Sequence, residues 1–328
     1  MENFLNFGIT INVFFQNLGS WLKTPMDLFS FLGNEYFFLF LLPALYWSVD
    51  AAIGLRVGFI LLLSTSVNDA FKLALHGPRP YWYNPGEVIA YADETSFGVP
   101  SGHSQNSAAI WGMLAALLRK GWAWAAAVAI VVIVGISRLY LGVHFIHDVL
   151  LGWLLGGLLL WATLYFWKPV AAWVKTFSLG QQVLAAFLAG LVLILFPLIP
   201  FLGLKFTGWQ APEVWAQYAT EAVSMSGGIT AGATLFGLLA GLAWINRQGG
   251  FCADGPVWKR VVRFLFGVVG VLVFYLGLKI LFEGIAPETE ALLPYFLRFV
   301  RYAVIGFWVS AGAPWLFVKM KLADKAGK

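Results

Sequence analysis

Residues 122–141 read WAWAAAVAIVVIVGISRLYL, twenty positions with one charge, Arg138. A run of that length and apolarity crosses the hydrocarbon core of a bilayer as one helix. It leads straight into GVHFIHD at 142–148, where two imidazoles and a carboxylate follow within a few residues. Working outward, eight further stretches read the same way. The predicted spans are 28–48, 52–75, 102–119, 122–141, 147–167, 180–204, 227–246, 261–283 and 298–318. The first is interrupted near its start by Gly33, Asn34 and Glu35, and a break is expected at Lys168-Pro169. The whole chain of 328 residues agrees: 60% is apolar, 11% is charged, and the mean hydropathy is +0.79. A soluble globule has too little interior to hide that much apolar surface, and a disordered chain would be far more polar. Sixteen Trp, eleven Tyr and 29 Phe suit anchoring at two lipid–water interfaces.

The expected architecture is therefore all-α, a polytopic transmembrane helical bundle of about nine spans. Residues 1–328 form a single membrane domain, with the chemistry in 1–167 and additional transmembrane helices in 168–328. The N-terminal stretch places Phe4, Phe7, Ile11, Phe14, Phe15 and Leu18 at helical spacing. It reads as an interfacial helix that docks on the bundle, and it lacks the basic start and cleavage site of a secretory signal. The single Cys252 excludes an intramolecular disulfide framework and any CxxC metal site. The net charge of +5 is spread over short loops, so nucleic acid is not an expected partner.

Alternating spans put loops 72–101 and 138–147 on one side of the membrane. Most Lys and Arg, among them Arg119, Lys120, Lys168, Lys175, Lys259 and Arg260, fall on the opposite side. By the positive-inside rule the two polar loops face away from the cytoplasm, in an inner or plasma membrane.

Three segments converge on that face: Lys72-Leu-Ala-Leu-His-Gly-Pro-Arg79-Pro80, Pro100-Ser101-Gly102-His103, and Ser137-Arg138 through His144 to Asp148. Two guanidinium forks and an ammonium suit a multi-oxygen anion. Ser101 and Gly102 open a helix, whose first N–H groups and dipole favour an anion. Phosphate is the ligand these groups fit. His144 and Asp148 lie four apart, so the carboxylate can fix one ring nitrogen and leave the other as a nucleophile. His103, beside the helix start, is placed to protonate a leaving oxygen. The fixed cations supply the charge that a metal gives many phosphatases, and no carboxylate cluster is present to hold one, so neither metal nor cofactor is expected.

The pattern Lys-x6-Arg-Pro, Pro-Ser-Gly-His, Ser-Arg-x5-His-x3-Asp resembles the three-part signature of the type 2 phosphatidic acid phosphatase superfamily, over roughly residues 50–167. The resemblance implies a phosphoric ester or diphosphate hydrolase acting through a phosphohistidine on His144. It implies that His103 is the acid and later activates water, that Asp148 supports His144, and that Lys72, Arg79, Ser101, Gly102 and Arg138 bind phosphate. The expected substrate is a lipid phosphate such as phosphatidate, phosphatidylglycerophosphate or a polyprenyl diphosphate. The nine-span plan is also similar to the glucose-6-phosphatase branch, which carries Gln where this chain has Asp148. A non-catalytic lipid-binding or transport protein on the same scaffold is the alternative of another class. Nothing in the sequence specifies an oligomeric state.

Other polar residues receive ordinary readings. Each member of the cluster alone has one too: Lys72 snorkelling, Arg79-Pro80 stopping a helix, Ser101 capping. His147 reads as structural, and His76 reads equally as structural or as lining an entrance. Asp69, one turn before Lys72, is placed to pair with it. Glu87, Asp93 and Glu94 read as a solvated loop surface. Gly152-x3-Gly156 and Gly237-x3-Gly241 read as close helix packing.

Overall fold

The computed structural model describes residues 2–287, Thr289 and 291–326. Met1, Gly327 and Lys328, the ends of the expected 1–328 domain, lie outside the described residues, as do Glu288 and Glu290. The elements in chain order are α1 (Glu2–Gln16), α2 (Lys23–Phe31), α3 (Glu35–Ser48), α4 (Ala51–Leu75), α5 (Pro80–Tyr83), α6 (Gly102–Leu118) and α7 (Gly121–Tyr140). They continue as α8 (Ile146–Lys175), α9 (Leu179–Thr207), α10 (Ala216–Ala222), α11 (Ser226–Arg247), α12 (Val257–Glu283), α13 (Leu292–Phe307) and α14 (Ala313–Lys319). No strand occurs among the described residues.

Among the described residues seven helical segments have the length and hydropathy to cross a bilayer. They match seven of the nine predicted spans and depart from the other two. The stretch 28–48 is not one helix: α2 stops at Phe31, a turn covers Leu32 to Asn34, and α3 has 14 residues with Pro43 inside. At 1.5 Å per residue α3 is about 21 Å long, short of the ~30 Å hydrocarbon core. The 17 residues of α6 make about 26 Å, and its first half is polar, with Ser104, Gln105, Asn106 and Ser107 all buried. The expected break at Lys168-Pro169 does not occur, because α8 runs on to Lys175 with Pro169 inside it. Long apolar helices absorb prolines where neighbouring groups satisfy the freed carbonyls, and α9 carries two, Pro197 and Pro200.

The chain divides into two compact units. The first joins residues 1–38, 67–164 and 197–224, and it contains every residue of the predicted site. The second joins 39–66, 165–196 and 225–328. Within the second, Trp47 Nε1 donates to Val309 O at 2.8 Å, and Tyr46, Phe251 and Phe317 pack with Trp47 in a buried cluster. Gly237 and Gly241 lie against the backbone around Ala303 and the π-helical turn Trp308–Gly312, the close approach their spacing predicts.

Within the first unit, Gly152 and Gly156 of α8 lie against α6 backbone: a Cβ on Gly152 would sit 2.6 Å from Ser101 O, and one on Gly156 would overlap Gln105 O. This contact seats the start of α6 directly against the start of α8. Gly157, on another face, meets nothing within 4 Å. Gly152→Val is therefore expected to cost about 1–3 kcal/mol through overpacking and to lower Tm by several degrees. Gly157→Val should leave Tm within about a degree, and thermal unfolding of both variants in detergent checks the pair.

Candidate active site

The three predicted segments meet. Lys72, in the last turn of α4, and Arg79, just before α5, both donate to Ser96: Lys72 Nζ to Oγ at 2.6 Å, and Arg79 Nη2 to Oγ at 3.1 Å with Nε to the Ser96 carbonyl at 2.7 Å. Arg79 is fully buried and also donates to the carbonyls of Phe97 and Val143. Arg138, near the end of α7, donates through Nη1 to Ser30 Oγ at 2.5 Å. Its Nη2 makes a short ion pair with Glu94. The other Glu94 oxygen lies 3.6 Å from Arg79 Nη2. One carboxylate thus bridges the two guanidinium groups.

That position corrects the reading of Glu94 as solvated loop surface. Glu87 and Asp93 are exposed as expected, but the Glu94 side chain is turned in among the cations. Burial pushes its carboxyl up, but the charges of Arg79 and Arg138 outweigh this and hold it well below the usual carboxylate range.

His144 stands in the turn between α7 and α8, almost fully buried. Its Nε2 lies 3.2 Å from Arg79 Nη1 and its Nδ1 lies 3.2 Å from Asp148 Oδ2. A guanidinium only donates, so Nε2 must be the unprotonated acceptor and Nδ1 carries the hydrogen that faces the carboxylate. Asp148 Oδ2 also accepts from the Phe145 N–H at 2.9 Å. Burial first, then the charges of Arg79, Arg138, Lys72 and His103, push His144 well below its ordinary value of 6.5.

Ser101 caps α6, its Oγ accepting from Ser104 N at 3.4 Å. The Ser101 N–H donates to the Asp148 carbonyl at 3.0 Å, which ties the cap to the start of α8. Gly102 and His103 follow as the first helical residues, and His103 Nε2 lies 3.4 Å from the Asn34 amide. The His147 ring has Nε2 3.1 Å from Asp148 Oδ1 and stacks on Phe145. His76 packs edge-on to Trp209 and Phe97.

Sequence reasoning missed Glu94, Ser96 and Ser30. It also gave residues 168–328 no part near the cluster. Yet Trp82, three residues after Arg79 and fully buried, stacks on Tyr218 at 5.1 Å and on Trp215 at 6.1 Å. The Arg79 guanidinium lies 5.8 Å over the Trp82 ring. The aromatic segment before and within α10 therefore backs the turn that carries Arg79.

Membrane-length helices around a buried nest of cations and imidazoles define the class, an integral membrane enzyme that handles phosphate. Two family profiles match, described as "PAP2 superfamily" over residues 53–171 and "PAP2 superfamily phosphatase, transmembrane extension" over 229–325. The chain is 28% identical over 96% of its length to "Glucose-6-phosphatase 3" of Homo sapiens, covering 95% of that protein. It is 32% identical to "Phosphatidylglycerophosphatase B" of Bacillus subtilis over 42% of this chain and 72% of that one. The crystal structure of a PAP2-type phosphatidylglycerolphosphate phosphatase from the same bacterium aligns with a TM-score of 0.44 at 28% identity, over 50% of this chain and 86% of that one. The chain belongs to the PAP2 superfamily, and it is a phosphoric ester hydrolase.

Two outcomes follow from the charges. The neutral His144 imidazole persists well below pH 6.5, so the acid limb of kcat/KM, where that ring gains a proton, should fall below pH 6.5. A pH–rate profile with a substrate of invariant ionisation checks this. Glu94 stays anionic through that range and competes with an incoming anion for the same guanidinium groups. Glu94→Gln should tighten competitive inhibition by inorganic phosphate several-fold, whereas an equal weakening would make the carboxylate an organiser of the site instead of its occupant.

Proposed function

We propose that this protein hydrolyses phosphate monoesters or diphosphates through a phosphohistidine on His144, without a metal. The observation that carries the reading is the pair of contacts on His144: Asp148 on Nδ1 and Arg79 on Nε2, beside a carboxylate held where two guanidinium groups converge. Phosphate has the charge and the oxygen spacing to replace that carboxylate. Lys72, Arg79 and Arg138 bind its oxygens, with the Gly102 N–H that opens α6; the Ser101 N–H is given to the Asp148 carbonyl, so Ser101 contributes through its hydroxyl.

Nε2 of His144 then attacks phosphorus as the bond to the leaving oxygen breaks, and His103 gives that oxygen its proton. The cations stabilise the spreading charge on the transferring group. In the second half His103 takes a proton from water, water oxygen attacks phosphorus, and the P–N bond breaks to release phosphate. Asp148 holds the Nδ1 hydrogen throughout and stabilises the charge that develops on the ring.

The substrate we favour is a lipid phosphate at the non-cytoplasmic face of an inner or plasma membrane. The site lies at the ends of apolar helices, where a head group resides, and the 32% identity to the Bacillus lipid phosphatase over 42% of this chain supports the reading. A second reading, a soluble hexose phosphate, is favoured by the likeness to glucose-6-phosphatase 3 along nearly the whole chain.

Purified protein in lipid discs with EDTA is expected to release phosphate from phosphatidate, phosphatidylglycerophosphate or a polyprenyl diphosphate. Turnover of glucose 6-phosphate alone selects the second reading, and inactivity on all of them rejects both. His144→Ala should lower turnover at least ~10³-fold and abolish an acid-labile, alkali-stable phosphoenzyme trapped from labelled substrate. His103→Ala should cost ~10²–10⁴-fold. A transporter would instead keep moving substrate in both variants.

A further inference from the structure

One face of α1 runs along the turn that carries His144. At four-residue spacing, Phe4 meets the His147 ring at 4.6 Å, Gly8 lies against the Phe145 ring, Asn12 reaches Leu139 and His144, and Gln16 reaches Tyr140 and Ile89. This is the i, i+4 stripe of a helix laid against a single strip of chain.

Asn12 is the central contact. It is fully buried, and its Nδ2 donates to Leu139 O at 2.8 Å and to His144 O at 3.0 Å. Those carbonyls belong to opposite arms of the turn: Leu139 is in the last turn of α7, and His144 stands just before α8. The final carbonyls of a helix lack intrahelical donors, so a side-chain amide there fixes where the chain leaves the helix. Asn12 Oδ1 has no hydrogen-bond partner among the described residues. A buried amide used only as a donor is a poor choice for packing, where an apolar side chain of similar size avoids the desolvation cost. The amide is instead spent on two main-chain oxygens, one of them on the nucleophile itself. Gln16 extends the same device, donating to Tyr140 O at 3.0 Å while its Oε1 accepts from Ile89 N at 3.0 Å.

We propose that Asn12 is a positioning residue for the reaction: its amide clamps the Leu139–His144 turn so that the imidazole is aimed at the bound phosphorus. The proposal rests on the reading of His144 as the nucleophile. The hydrogen bonds of Asn12 go to the main chain, while Lys72, Arg79 and Arg138 are held by partners of their own in Ser96, Phe97, Ser30 and Glu94, so loss of the clamp should misdirect attack without weakening the anion site.

The test uses the full-length protein in lipid discs with Asn12→Ala, Asn12→Asp, and Phe7→Ala on the exposed side of α1 as control. Asn12→Asp keeps the shape and replaces the donor with an acceptor. In both Asn12 variants, rapid-quench formation of the phosphoenzyme and kcat should fall about 10–100-fold, the effect of a nucleophile moved by a fraction of an ångström to an ångström. The Kd for inorganic phosphate, read by calorimetry, should stay within about twofold. Phe7→Ala should match the parent. Parental kcat in Asn12→Asp, or phosphate affinity falling with kcat in both Asn12 variants, overturns the proposal, the second result assigning Asn12 a purely structural part. A parent protein that turns over substrate without forming any phosphoenzyme removes the underlying reading of His144, a result distinct from either.

Discussion

Arg79 and Arg138 are buried, Lys72 nearly so, in a bundle whose surroundings are hydrocarbon, and charges there are tolerated only when neighbouring groups solvate them. The first unit meets this demand with oxygen: Ser96, Ser30, the carbonyls of Ser96, Phe97 and Val143, and above all the Glu94 carboxylate between the guanidinium groups. The loop from Glu94 to Phe97 and the turn at Val143 deliver most of those oxygens, and α2 supplies Ser30. The arrangement is also selective. Neutral acceptors hold the cations in position without cancelling their charge, and among the described residues Glu94 alone touches both guanidinium groups with an opposite charge. In the proposed reading a phosphate arriving there exchanges one anion for another, so desolvation of the cations is met in folding and is not repeated at each turnover.

The same demand explains how the helices pack. The Ser101 N–H can reach the Asp148 carbonyl only if the start of α8 approaches the start of α6, and Gly152 removes the side chain that would keep them apart. On the other flank the Arg79 turn is pinned by Trp82, which is wedged against Trp215 and Tyr218. Aromatic rings suit that place because they fill volume, present a π face to the guanidinium, and bring no further charge.

The helices and the predicted cluster were legible because both follow spacing rules. Apolar length marks a span, His144 and Asp148 share a helical face at four residues apart, and Gly152-x3-Gly156 marks close approach. Each of these rules is local: apolar length recovered seven of the nine spans, and the two spacings recovered their contacts. Span 28–48 failed because hydropathy averages across a turn at Leu32–Asn34 that breaks the helix, and the break at Pro169 failed because proline's cost is met within an apolar helix. Glu94, Ser96 and Asn12 obey no spacing rule. Their partners are carbonyls, an ammonium and guanidinium groups about 15 to 132 residues away, so each looks on paper like an ordinary polar residue. One signal was available for Glu94: a cluster of buried cations requires a counter-charge, and the loop between Arg79 and Ser101 had to supply it.

Asp148 joins the two halves of the site, and it does so through two different parts of the residue. Its side chain orients the His144 ring, while its main-chain carbonyl accepts from the Ser101 N–H at 3.0 Å. The distance from the helix start at Ser101 to His144, the proposed nucleophile, is thus set by backbone, which any residue at this position would provide. Only the orientation and charge of the ring depend on the carboxylate. A neutral oxygen acceptor at 148 could hold the same tautomer, giving up electrostatic support for a developing imidazolium but not the shape of the cup. In the proposed mechanism the identity of residue 148 therefore speaks to how the phosphoryl group is transferred and not to what carries it. Discrimination between carriers would then lie with groups beyond the phosphate, and the aromatic segment from Trp209 to Tyr218, which packs on His76 and backs the Arg79 turn, offers such groups.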